Sequence, residues 1–98
     1  MPRGPRRPPD PAELARRAER ARLRWLAAQR VADGSARALR KGAGLTQADL
    51  ARRFGVSVMA VSTWESGGAR PGEDRLATWL ELLDRWEAEE VGDQARIA

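Results

Sequence analysis

Apolar positions along this chain recur every three or four residues, in stretches separated by glycine. That is the rhythm of helices lying on a core, and no stretch alternates as a strand does. The clearest stretch is Gly44 to Gly67, GLTQADLARRFGVSVMAVSTWESG. Thr46 precedes Asp49 by three residues, the spacing of a capping box in which side chains and backbone satisfy each other. Leu50, Ala51 and Phe54 then share one face. Gly55 ends this helix, because glycine takes the left-handed conformation without steric cost. Ser57 caps a second helix that buries Ala60, Val61 and Trp64. The two helices span roughly 46–54 and 57–65. Helices that cross steeply through so short a turn need a small residue where their backbones approach, and Ala51 supplies it.

The same reading extends to both sides. Asp10-Pro11-Ala12-Glu13 is a helix start, with an Asp cap, proline at the first helical position and an acid three residues on. The helix runs to about Ala32, with an apolar stripe of Leu14, Ala18, Ala21, Trp25, Ala28 and Ala32. Arg16, Arg20 and Arg24 fall on its opposite side, which predicts that the stripe packs inward. Asp33 or Ser35 can cap the next helix, about 34–41, with Ala36 and Leu39 inward. After the loop Gly67–Gly72 a last helix spans about 73–90. It sets Leu76, Leu80, Leu83 and Glu87 in one line and Trp79, Leu82 and Trp86 beside it. The expected fold is all-α, four to five short helices around one core. Residues 1–9 form a Pro- and Arg-rich tail expected to lack fixed structure, and 91–98 a flexible tail.

Composition narrows the chemistry. A chain of 98 residues supports one small domain with a flanking helix or tail. Cysteine and histidine are absent, which removes disulfides, thiol chemistry and the commonest metal ligands. There is no nucleophile–base pair, no metal-ligand cluster and no glycine loop between strand and helix. Neither an enzyme nor a cofactor is expected. No apolar run reaches the ~20 residues of a membrane span, and the basic start is not followed by a signal-like apolar region. A cytoplasmic, nucleoid-associated protein is the expectation. The net charge of +4 is unevenly spread. Residues 1–45 hold twelve Lys and Arg against four acids, and residues 46–98 hold six against ten. A basic half suits a polyanion, and the acidic last helix should face away from it.

The string ARALRKGAGLTQADLARRFGVSVMAVSTWESG, followed by Arg70-Pro71 and another amphipathic helix, resembles the Xre/Cro helix-turn-helix family. That group includes the phage lambda repressor and Cro. The resemblance runs from about Asp33 to Trp86, and it implies a lambda repressor-like DNA-binding domain over 33–90. The helix at 10–32 is then an addition. The resemblance places the helix at 57–65 in the major groove of double-stranded DNA, with Val58, Met59 and Thr63 at base edges and Ser62 beside them. It assigns the DNA backbone to Gln47, at a helix N-terminus where free N–H groups attract phosphate. Thr46, Ser57 and Arg70 are further phosphate candidates, and Arg37, Lys41, Arg52 and Arg53 weaker ones. It also implies a structural ion pair between Arg40 and Glu65.

The last helix has more large apolar residues than a small monomer needs. Trp79, Leu82 and Trp86 are therefore candidates for a subunit interface, or for docking of the N-terminal helix through Trp25. Docking within one chain and exchange between two both fit. The leading functional reading is a sequence-specific regulator, a repressor acting as a homodimer, and a phage or mobile-element repressor fits this compact form. A second reading is an antitoxin that uses the same fold on its operator and covers a toxin partner. A third is RNA binding through ELARRAERARLRWLAAQR, whose arginines and Trp25 resemble arginine-rich RNA-binding peptides.

Overall fold

Five helices follow one another: α1 (Pro11–Ala32), α2 (Ser35–Gly42), α3 (Gln47–Phe54), α4 (Val58–Ser66) and α5 (Glu73–Ile97). The structure is a computed structural model that describes residue 4 and residues 7–97. No strand occurs among the described residues. The expected tail over residues 1–9 lies largely outside them. α5 continues to Ile97, so residues 91–97 are helical where the sequence reading places a flexible tail. Gln94, Ala95 and Arg96 in that stretch are good helix formers, and the single Gly92 does not stop the helix.

Asp10 caps α1 as its spacing predicts, accepting the Glu13 amide at 2.8 Å. At α2 the expectation is corrected: the N-cap is Gly34, in the left-handed conformation and without a side-chain cap, and Asp33 instead accepts the Ser35 amide at 2.8 Å across the turn. Ala36, Leu39, Leu50, Ala51, Val61, Trp64, Leu76, Leu80 and Leu83 all enter one core. Trp64 meets Phe54 edge-on, ring centroids 5.6 Å apart, and Trp79 at 5.9 Å. One aromatic chain thus ties α3, α4 and α5 together, and such pairs contribute ~0.5–1.5 kcal/mol beyond their burial.

Two expectations about packing are corrected. Trp79 and Leu82 are not free for a subunit interface; their own chain leaves them 1% and 4% exposed. Trp86 is partly buried against the same core. Second, α1 docks on its own chain, but through the other face. Leu23, Leu26, Ala27 and Val31 pack inward, while the predicted stripe faces solvent and Trp25 is 61% exposed. The inward face carries the branched side chains Leu23, Leu26 and Val31, and docking on that side lets Arg20, Arg24 and Arg30 reach acids of α5, which the period of the stripe does not register. Ion pairs hold this docking in register. Arg20 and Arg24 reach Glu73 at 3.3 and 3.4 Å, and Arg30 reaches Asp84 at 3.0 Å and also Glu87. The pairs climb both helices together, so α1 and α5 run in the same direction.

A buried charge organises the rest. The Glu65 carboxylate sits at the end of α4 with its side chain fully inaccessible. Arg40 binds it through two atoms, Nε to Oε2 at 2.7 Å and Nη2 to Oε1 at 3.0 Å, and donates Nη1 to the Leu45 carbonyl at 2.8 Å. Gln47 Nε2 donates to Oε1 at 3.0 Å, and Arg37 stands 3.7 Å away. Burial pushes the Glu65 carboxyl up. Hydrogen bonds from Arg40 and Gln47, with the charges of Arg40 and Arg37, more than reverse this and hold it below the usual carboxylate range. Hydrogen bonds from Ser35 and Thr46 hold Asp33 and Asp49 low in the same way.

Removing Arg40 leaves the buried Glu65 without its two-point partner, with only Gln47 and the more distant Arg37 facing it; breaking buried pairs costs ~3–5 kcal/mol in comparable sites. Arg40→Ala is therefore expected to lower the urea midpoint of unfolding sharply, and a change under ~1 kcal/mol would contradict a buried pair. The three carboxyls titrate lower folded than unfolded. Their stabilisation is complete above the ordinary carboxylate range, about pH 4, and is lost as pH falls through the folded values. The thermal midpoint should hold near neutrality and drop below about pH 4, with a shallower drop in Glu65→Gln.

Candidate nucleic-acid interface

The α3–α4 unit is assembled by local chemistry. Thr46 Oγ1 accepts the Asp49 amide at 3.0 Å, and Asp49 Oδ2 accepts the Thr46 amide at 2.8 Å, which completes the capping box. Gly55 ends α3 at φ 65°, a left-handed position that disfavours any side chain. The next amide, Val56, then closes back on the Ala51 carbonyl at 3.0 Å, the bond that turns the chain toward α4. Ser57 Oγ accepts the Ala60 amide at 3.1 Å and starts α4. Val61 and Trp64 anchor the helix from behind at 0% and 6% exposure.

The outer face of α4 is open. Val58 is 47% exposed and Met59 74%, with Ser62 and Thr63 half-buried beside them. Thr63 Oγ1 donates to the Met59 carbonyl at 2.8 Å. Its proton is thus held by its own helix, and only acceptor capacity is left toward a partner. An acceptor at a base edge selects the amino groups of cytosine or adenine. Val58 and Met59 offer apolar contact, which suits a thymine methyl. No Arg, Asn or Gln stands on this face to grip a base through two hydrogen bonds.

The phosphate candidates divide. Thr46 and Ser57 use their oxygens as cap acceptors and keep their hydroxyl protons to donate. Gln47 is half-buried, and its bond to Glu65 occupies one N–H and leaves the second. Arg70 is exposed in the loop after α4, where it and Arg24 both line a cleft of about 520 Å³ between that loop and α1. Lys41 and Arg53 are exposed. Arg52 is paired with Asp49, and Arg37 leans on Glu65. Gln47, Arg37 and Arg40 therefore converge on one carboxylate, while Trp25 stands apart on α1.

Two contributors escape the sequence reading. Arg75, from α5, donates to the Phe54 carbonyl at 3.2 Å and closes the end of α3. Gly68 lies against Thr63, where a Cβ would come within 2.9 Å of the threonine methyl. Only glycine leaves the Thr63 rotamer undisturbed. A double glycine after a helix signals a turn, but not which side chain it makes room for.

Among the described residues no group of acids could hold a metal ion, and no helix is long and apolar enough to cross a membrane. Searches of curated proteins and of solved structures gave no match. A family model described as helix-turn-helix matches residues 37–85, which is half of the chain and runs from α2 into α5. α1 lies outside it. Motif geometry and family match agree: the chain belongs to the helix-turn-helix family of the Xre, lambda repressor-like type, a DNA-binding fold.

Proposed function

We propose that this protein is a sequence-specific transcriptional regulator, a repressor, that lays α4 in the major groove and acts as a homodimer on a two-fold operator. The observation that carries this reading is the outer face of α4. Val58 and Met59 stay exposed on a helix whose other side is fully anchored. Large apolar side chains left bare on the presented helix of this motif fit a groove better than solvent. The electrostatics agree. Lys41, Arg53 and Arg70 are exposed around the motif, whereas arginines of α1 pair with Glu73, Asp84 and Glu87 of α5. Base readout through acceptors and methyl contacts is modest, so groove shape and phosphate contacts supply the rest.

Gln47→Ala and Arg70→Ala are expected to weaken binding to every duplex alike, and Arg70→Ala, which removes a cation from a phosphate, to reduce the dependence of affinity on salt as well, by about one unit of slope. Fluorescence anisotropy across a salt series measures both. Met59→Ala and Thr63→Ala should instead alter which sites are preferred, by ~1–3 kcal/mol for each base-edge interaction removed, in selection from a random-sequence duplex pool. An unchanged preference in both variants would remove α4 from the groove.

A further inference from the structure

We infer that the cleft between α1 and the loop after α4 binds a small organic carboxylate with an apolar body, and that this ligand loosens the protein from DNA. The effect on DNA rests on the regulator reading of the proposed function; the site itself stands on the free protein. The cleft holds about 520 Å³, within the range of small-molecule sites. It is left open because small residues face each other across it, Ala28 and Ala32 of α1 on one side and Gly67 and Gly68 on the other. Trp64 and Trp79 form its buried side, at 6% and 1% exposure.

Three polar groups give the occupant its chemistry. Arg70 is exposed in the lining, and no carboxylate pairs with it among the described residues. Arg24, also in the lining, shares the single Glu73 carboxylate with Arg20, at 3.4 and 3.3 Å. Two guanidiniums to one carboxylate leave the α1 side of the cleft positive. The indole N–H of Trp79 is buried and meets no acceptor among the described residues, whereas buried donors are nearly always paired. Two cations and an unmet donor select an anion that accepts hydrogen bonds. The apolar walls select a hydrocarbon body behind it. A bare phosphate would leave those walls in water, and the Arg-rich residues 1–9 would set cations against cations.

The position of the cleft gives the direction of the effect. Gly68 lies against Thr63 of the α4 face, where a Cβ would come within 2.9 Å of the threonine methyl, and a Cβ on Gly67 would stand 3.4 Å from Val31 of α1. A ligand in the cleft rests on this glycine pair. Its carboxylate, held by Arg70, withdraws a cation from the phosphates. Occupancy therefore lowers affinity for DNA, and by linkage DNA lowers affinity for the ligand by the same factor. α1, the helix outside the matched family region, supplies one wall of the site.

The test is proton–nitrogen NMR on the full chain, titrated with naphthoate, its neutral amide naphthamide, and inorganic phosphate. Naphthoate is expected to move the Trp79 indole resonance and the Gly67 and Gly68 amides to saturation. The Trp25 indole, 61% exposed on the other side of α1, should stay in place. Naphthamide and phosphate should bind about tenfold or more weakly than naphthoate. Ala28→Phe, which fills the cleft from an exposed position, and Arg24→Gln should each weaken naphthoate about tenfold, with unchanged thermal midpoints. On a duplex selected from the random pool, saturating naphthoate should lower affinity about tenfold for the wild type, and leave Ala28→Phe unaffected. Shifts led by Trp25, equal binding of the amide, or full naphthoate affinity in both variants overturns the site. Saturable binding with no change in DNA affinity overturns the regulatory half. A chain that binds naphthoate as expected but no duplex at all overturns the regulator reading and leaves the site standing.

Discussion

The buried Glu65 carboxylate is the constraint on which the geometry of the motif depends. Hydrophobic burial is non-directional, and the core around Val61 and Trp64 would tolerate small rotations of α4. A two-point bond between a guanidinium and a carboxylate does not tolerate them, because both hydrogen bonds need one plane. Glu65 also sits at the C-terminal end of α4, where the helix dipole disfavours an anion. It is retained there because Arg40 from α2 and Gln47 from α3 meet it, and Arg40 also holds the Leu45 carbonyl between those helices. One charge thus references three helices to a common point. The outer face of α4 inherits its direction from that point.

The division of charge along the chain has a structural counterpart. Arg20, Arg24 and Arg30 of the basic first half meet Glu73, Asp84 and Glu87 of the acidic second half. Exposed pairs of this kind contribute little stability individually. Their effect is on the field of the molecule. They partly neutralise α5 and use up basic charge on α1, while Lys41, Arg53 and Arg70 stay exposed around the motif. A helix outside the matched family region therefore helps to decide where a polyanion is attracted.

What could be read from sequence was what local chemistry determines. The caps at Asp10, Thr46 and Ser57 and the glycine stop at Gly55 depend on residues within one turn, and they form as read. The inward positions of α2, α3 and α5 were legible because each of these helices has one dominant apolar face, and those of α4 because its outward apolar residues, Val58 and Met59, stand where the family resemblance places the groove. α1 has two. Leu14 and Trp25 with alanines make one, and Leu23, Leu26, Ala27 and Val31 make the other; the period alone does not rank them, and the acids that α5 sets against Arg20, Arg24 and Arg30 are known only from the fold. The bond from Gln47 to Glu65 joins residues eighteen apart through the fold, and no local pattern announces it. The inward turn of the Thr63 hydroxyl is likewise a rotamer choice, settled with Gly68 beside it.

These features bear on how a weak reader of sequence becomes a selective one. The face of α4 offers an acceptor at Thr63 and apolar contacts at Val58 and Met59, without a bidentate grip on any base. Each such contact discriminates by only ~1–3 kcal/mol. A single copy would bind many sites with little difference between them, because phosphate contacts are indifferent to sequence. Two copies on a two-fold operator, as proposed, would change this. The discrimination of the two half-sites combines, and the distance between them becomes a further requirement set by protein geometry. Modest chemistry on α4 is what gives the proposed homodimer its purpose: one copy would read too little alone, and two would read twice.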